Sequence, residues 1–177
     1  MINKTKRNSI KEYIGFKGLL EIYEIDGSCD GMTASQAEAI GRKILSQPNM
    51  ITNVGFNTIA DRLTGSGTYS GTTYTYFAVS NGVATPAATD TASTFYADGT
   101  TYTKAVATLE TFSTATLSQQ WTCFLNSTEN TVTSITKFAL MNALVGTIMF
   151  NDILFGAIAK NSSKSLYFKY TLTMVRV

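Results

Sequence analysis

Apolar and polar positions alternate most regularly at the end of the chain. Leu166, Phe168, Tyr170, Leu172 and Met174 interleave with Tyr167, Lys169, Thr171 and Thr173. Successive side chains on a strand point to opposite faces, so this two-residue period predicts a half-buried strand over residues 166–177, with one apolar and one mostly polar face. A helix would scatter the same residues around its circumference. Strand-like runs also occupy residues 73–80, 101–109, 112–117, 120–125, 134–143 and 147–158. Turn clusters such as Ser80-Asn81-Gly82, Asp98-Gly99 and Asn161-Ser162-Ser163 separate several of them. Short strands at this spacing predict a sandwich or barrel.

The first third of the chain is more mixed. Residues 1–15 read as an arm, with Gly15 and Gly18 opposing a continuing helix. Residues 16–25 are apolar on both faces, with Ile22, Tyr23 and Ile25 at their centre, and predict a buried strand. Residues 26–31 (DGSCDG) form a turn by composition. Residues 33–45 support two readings. Thr33 with Gln36 makes a capping box ahead of Ala34, Ala37, Ile40 and Ile44, whereas residues 39–46 fit a hairpin strand. Pro48 is expected to end either one. Asn53 is a good N-cap, and Phe56, Ile59, Ala60 and Leu63 fall on one helical face, so a helix is predicted near residues 53–63. Gly65 and Gly67 stop it. The expected architecture is a mainly β, antiparallel, jelly-roll-like sandwich over residues 16–177, with one short helix and an N-terminal arm.

Composition sharpens this picture at three points. The 177 residues suffice for one well-buried core. Only 15% are charged, against about a quarter in typical domains. Between Leu63 and Leu109 the sole charges are Asp90, Asp98 and Lys104. A Thr, Ser, Gly and Asn surface of this kind suits a protein packed against neighbours. The net charge of +2 is too small to argue for nucleic acid. Basic residues do cluster at the start, where Lys4, Lys6, Arg7 and Lys11 make a solvated, candidate anchoring arm. No apolar run reaches transmembrane length and no secretory h-region follows the basic start, so neither a membrane partner nor secretion is expected.

Candidate chemistry is thin. The chain has no His, which excludes Ser-His-Asp and Cys-His sites. Cys29 and Cys123 match no metal or redox spacing, and Cys123, alternating with Trp121 and Leu125, reads as a small core residue. Residues 26–31 resemble the opening of a calcium loop, but Ala37 stands where the bidentate carboxylate is needed, so a hairpin turn is the reading. Gly65-Ser66-Gly67 and Gly71 lack the Gly-Lys-Ser/Thr of a phosphate cradle. Asp90 and Asp98 read as solvated turn acids. Asn126-Ser127-Thr128 fits a glycosylation sequon but follows no secretory signal. Tyr74, Tyr76 and Tyr102 fit either cross-strand packing or a sugar- or base-stacking face. No catalytic residues, metal or cofactor are expected.

Several segments in order resemble a known family. They are residues 49–55 (NMITNVG) leading into the helix, residues 76–82 (YFAVSNG), and residues 87–92 (AATDTA). Residues 135–143 (ITKFALMNA) and residues 146–155 (GTIMFNDILF), running on through Lys160 to Met174, complete the set. This order resembles small virion proteins of tailed bacteriophages related to the N-terminal domains of tail-collar fibre proteins. Val79-Ser80-Asn81-Gly82 replaces the family's Gly-x-Gly, and Phe138-Ala139-Leu140 its Ala-Gly-Leu. The resemblance implies a non-enzymatic β-sandwich virion component, assembled in the host cytoplasm. Because Val177 follows the last strand directly, a free-standing attachment domain is expected, as a capsid decoration or cement protein or a head-fibre adaptor. A tail, collar or baseplate component is the alternative, and a carbohydrate-binding module is the alternative of another class. The implied partners are the major capsid protein or a tail or collar protein of the same particle, with the chain itself a homotrimer.

Overall fold

Two long strands, the first and the last, form the spine of the protein. The computed structural model describes residues 14–69, 71–106, 108–109, 113–129, 131–144 and 148–176. In chain order the elements are β1 (Ile14–Asp26), α1 (Ala34–Ile40), β2 (Arg42–Ile51), α2 (Asn53–Thr64), β3 (Tyr76–Ser80) and α3 (Ala92–Ala97). They continue with β4 (Thr101–Ala105), β5 (Thr108–Leu109), β6 (Ser118–Leu125), β7 (Ser134–Met141), β8 (Asn151–Ala159) and β9 (Lys164–Arg176). β1 and β9 pair antiparallel along their whole lengths, from Ile14–Arg176 to Asp26–Lys164.

Two antiparallel sheets grow around this pair. The first runs β2-β1-β9-β6, with β5 on its edge, and the second runs β4-β3-β7-β8. They join at one corner, where Met50 and Ile51 pair with Asp152 and Asn151. The pairs β1–β2, β3–β4 and β7–β8 each keep sequence neighbours within one sheet. Pairings between strands distant in sequence complete the sheets: β9 lies between β1 and β6, and β7 joins β3 to β8. The inner faces interdigitate through aromatic residues, with Phe168 of β9 lying 5.6 Å from Phe77 and 5.8 Å from Phe138, centroid to centroid. Leu20, Ile22, Cys123, Leu125, Ile153, Leu166 and Tyr170 fill the same core. The antiparallel β-sandwich anticipated from the pattern is the fold.

Each sheet also carries a helix on its outer face. α1 lays Ala37 over Tyr23, Ile25, Cys29 and Tyr167, so Tyr167, on the expected polar face of β9, is fully buried. α3 lays Ala92 and Phe95 over Ala78, Ala139 and Met141. Among the described residues there are thus three helices where one was expected. Both readings of residues 33–45 are realised: the Thr33–Gln36 capping box starts α1, and β2 follows Gly41. α3 also opens with a capping box, but Thr94 stands in the place of Glu or Gln, and its β-favouring Thr, Phe and Tyr hide the signal.

Other expectations are corrected. Pro48 does not end β2; it pairs with Leu19 inside it. Its missing N–H is tolerated because the ladder to β8 is confined to Met50 and Ile51, which leaves β2 an open edge at this point. Thr52, not Asn53, caps α2. Within residues 112–117 the described part, 113–117, is a turn before β6, with Leu117 at φ 50°. β1 begins at Ile14, so Ile14 and Gly15 belong to the sheet and not to the arm. Among the described residues no helix is long and apolar enough to cross a membrane.

Candidate functional site

An apolar groove opens beside α2, and the helix cap creates it. Thr52 Oγ1 accepts from the Gly55 N–H at 3.1 Å and donates to the Met149 carbonyl at 2.9 Å. Gly55 then lies against the Phe150 carbonyl, where a Cβ would collide. One turn on, Thr58 Oγ1 and the Tyr74 hydroxyl hydrogen-bond at 2.8 Å. The buried face of α2 is therefore its small and polar one, Gly55 and Thr58. Of the apolar positions that predicted the helix, Phe56 is 46% exposed and Leu63 77%, while Ile59 packs partly against the core. The small face packs inward because the approach to the Phe150 carbonyl leaves no room for a side chain at Gly55.

The displaced apolar face becomes one wall of the groove. Phe16, Ile59, Leu63, Trp121, Leu172 and Met174 line a volume of about 370 Å³. Phe16 meets Phe56 edge-on at 6.4 Å, and the Trp121 indole is fixed by donating to the Tyr74 carbonyl at 3.0 Å. Arg62 and Tyr74 are the ionisable groups in the lining. Arg62 is turned to the Thr72 carbonyl. Burial pushes the Tyr74 hydroxyl up to about 12, against a smaller opposing effect from Thr58, so it stays protonated. Among the described residues its wall holds no acid, lysine or cysteine, and the groove can bind apolar groups.

A second constellation is ionic and buried. Lys137 of β7 and Asp152 of β8 are each 2% exposed, with Nζ 2.9 Å from Asp152 Oδ2. Asp98, just after α3, sits 3.1 Å from the same Nζ. The Phe95 ring lies 5.3 Å from that nitrogen. Burial alone would lower Lys137, but Asp152 and Asp98 outweigh it and raise it. Burial also raises the Asp152 carboxyl, and the like charges of Asp90 and Asp98 add to that, against the attraction of Lys137. Asp98 is held below its usual range because hydrogen bonds from Lys137 and the Ala84 and Val83 amides outweigh burial. Asp98 and Asp90 are thus not a pair of free turn acids. Asp98 anchors residues 83–84, and Asp90 accepts from the Ala87 amide at 2.6 Å.

Comparison with protein-family models, with curated proteins and with solved structures gives no match. The chain's own geometry has to carry the functional argument.

The remaining residues singled out from the sequence are scattered. Lys4, Lys6, Arg7 and Lys11 lie outside the described residues. Tyr74 is buried in the main core, Tyr76 packs beside α3, and the Tyr102 hydroxyl donates to Glu129 at 2.8 Å. They form no common exposed face. The 26–31 turn is tied to the β6–β7 loop, with Asn126 Nδ2 donating to Asp30; the sequon asparagine is buried by this contact. Lys160, also buried, donates to the Asn161 and Ser127 carbonyls, and desolvation lowers it. Sequence reasoning missed Lys137 and Asp152. The available signal was a single charge set inside an otherwise apolar run, in ITKFAL and again in MFNDILF.

Proposed function

We propose that this chain is a non-enzymatic structural protein of a bacteriophage virion, acting as a capsid decoration or cement protein or a head-fibre adaptor. The observation that carries the reading is the groove. A charge-poor β-sandwich leaves Leu63, Phe56 and a Trp121-floored apolar cleft uncovered at one place, a surface that suits contact with another protein. The resemblance of the motif order to tail-collar fibre proteins is what favours a phage particle as the setting. A tail, collar or baseplate position is the second form of the same proposal. The carbohydrate-binding alternative is not favoured, since Tyr74, Tyr76 and Tyr102 do not share an exposed face.

Cryo-EM of particles carrying the chain, compared with particles given Leu63→Lys, tests the proposal. Leu63 is largely solvent-exposed, so the variant should fold with stability within about 0.5 kcal/mol of wild type. Wild-type density on the head is the expected result, with that density absent for the variant. Absence of the wild-type chain from purified virions would overturn the virion role. Normal occupancy by Leu63→Lys would remove the groove as the contact.

A further inference from the structure

Lys137 and Asp152 face each other across the β7–β8 ladder, on the side covered by α3. Lys137 pairs with Leu154, which sets the Asp152 side chain diagonally beside it on the same face. Both side chains are almost wholly out of solvent, and Nζ lies 2.9 Å from a carboxyl oxygen. A second carboxylate, Asp98, touches the same nitrogen at 3.1 Å and keeps some access to water. The site is roofed by the Phe95 ring.

An ordinary ion pair accounts poorly for this arrangement. Burying two charges is costly unless every polar atom is satisfied, and among the described residues neither Asp152 oxygen receives a well-aligned hydrogen bond, although Lys137 Nζ touches Oδ2. Asp90 and Asp98 both disfavour a negative charge on Asp152. What the geometry does supply is an amine held against a dry carboxyl group, with a carboxylate in reach to move protons. Reacting groups fixed at near-contact distance gain an effective concentration far above any in solution.

We propose that Lys137 and Asp152 condense into an intramolecular isopeptide bond, with Asp98 as the proton carrier. Asp98 first takes a proton from the Lys137 ammonium. The neutral Nζ attacks Cγ of the protonated Asp152 carboxyl, and a C–N bond forms. A further proton moves from nitrogen to the departing hydroxyl, the C–O bond breaks, and water leaves. Asp98 then returns its proton to solvent. The sum is an ammonium and a carboxylic acid converted to an amide, one water and one proton released to solvent, with nothing oxidised or reduced. Removing the proton from Lys137 gates the reaction, because the Asp98 carboxylate favours the ammonium. The amide needs fewer donors than the ion pair it replaces and ties β7 to β8 beside the corner where the two sheets join.

Intact-mass measurement of the folded, purified chain after denaturation tests this directly, with Lys137→Arg as the mass reference. Wild type should be lighter by one water than its sequence requires, and digestion should yield a branched peptide joining the Lys137 and Asp152 segments. Asp98→Asn should retain the full mass and contain no branched peptide. Wild type at full mass would overturn the proposal. So would water loss that persists in Lys137→Arg, which would place it in a succinimide such as one at Asp98-Gly99. Complete cross-linking in Asp98→Asn would remove Asp98 as the proton carrier.

Discussion

At the scale of single residues, the sandwich rests on a few aromatic contacts and on carboxylates whose protonation is set by their donors. Phe168 is buried between Phe77 and Phe138, so Phe168→Ala should cost about 3–5 kcal/mol through lost contacts and the cavity left behind. A urea midpoint equal to wild type would show that the site collapses or that the core lies elsewhere. Glu129 gives a pH-dependent counterpart. Burial raises its carboxyl, but hydrogen bonds from Lys104, the Asn126 amide and Tyr102 outweigh that and hold it below the usual value. A group with a lowered folded pKa adds stability above its unfolded value of about 4.3 and loses it as pH falls through the folded value. The stability gap between wild type and Glu129→Gln should therefore be full at neutral pH and close below about pH 4. Thermal melts at stepped pH would show this, and a gap that stays constant would mean Glu129 is not held by these donors.

At the scale of elements, the caps decide more than the hydrophobic stripes do. Thr52 Oγ1 accepts from the helix and donates to the β8 side at once, and its side chain is almost completely buried. Thr52→Ala should destabilise the protein by about 1–2 kcal/mol, with Thr52→Ser recovering most of it. Equal unfolding midpoints for Thr52→Ala and wild type would show that the cap is dispensable. The periodicity of Phe56, Ile59, Ala60 and Leu63 announced a helix correctly, and the fully buried residues of that helix are Gly55 and Thr58. Periodicity measures amphipathicity, and it cannot distinguish a stripe facing the core from one lining an open groove. β9 shows the converse. Its alternation placed Leu166, Phe168 and Tyr170 inward correctly, because a pleated strand offers only two faces.

At the scale of the whole molecule, each sheet is sealed by a helix on its outer face, and the groove beside α2 stays open. The family resemblance implies a homotrimer, and sedimentation equilibrium of the purified chain is expected to return three times the chain mass. A single-chain mass at all concentrations would argue against a trimer in solution. Leu63→Lys in the same measurement separates two uses of the groove. An unchanged assembly state leaves it for a partner in the particle, whereas dissociation to single chains would assign it to the contact between copies.

The sequence by itself determined the β class, most of the turns, the presence of β1 and β9 as strands, and the caps that begin α1 and near which α2 begins. These follow from local rules: side-chain period, left-handed glycines and Ser/Thr/Asn capping act within a few residues. Only the tertiary structure decided which strands pair, that α1 and β2 share residues 33–45 between them, and that Pro48 can sit inside a strand with an open edge. It alone brought Lys137, Asp152 and Asp98 together from β7, β8 and the end of α3. Those three residues are far apart along the chain, and their meeting is a product of sheet order, which no local pattern encodes.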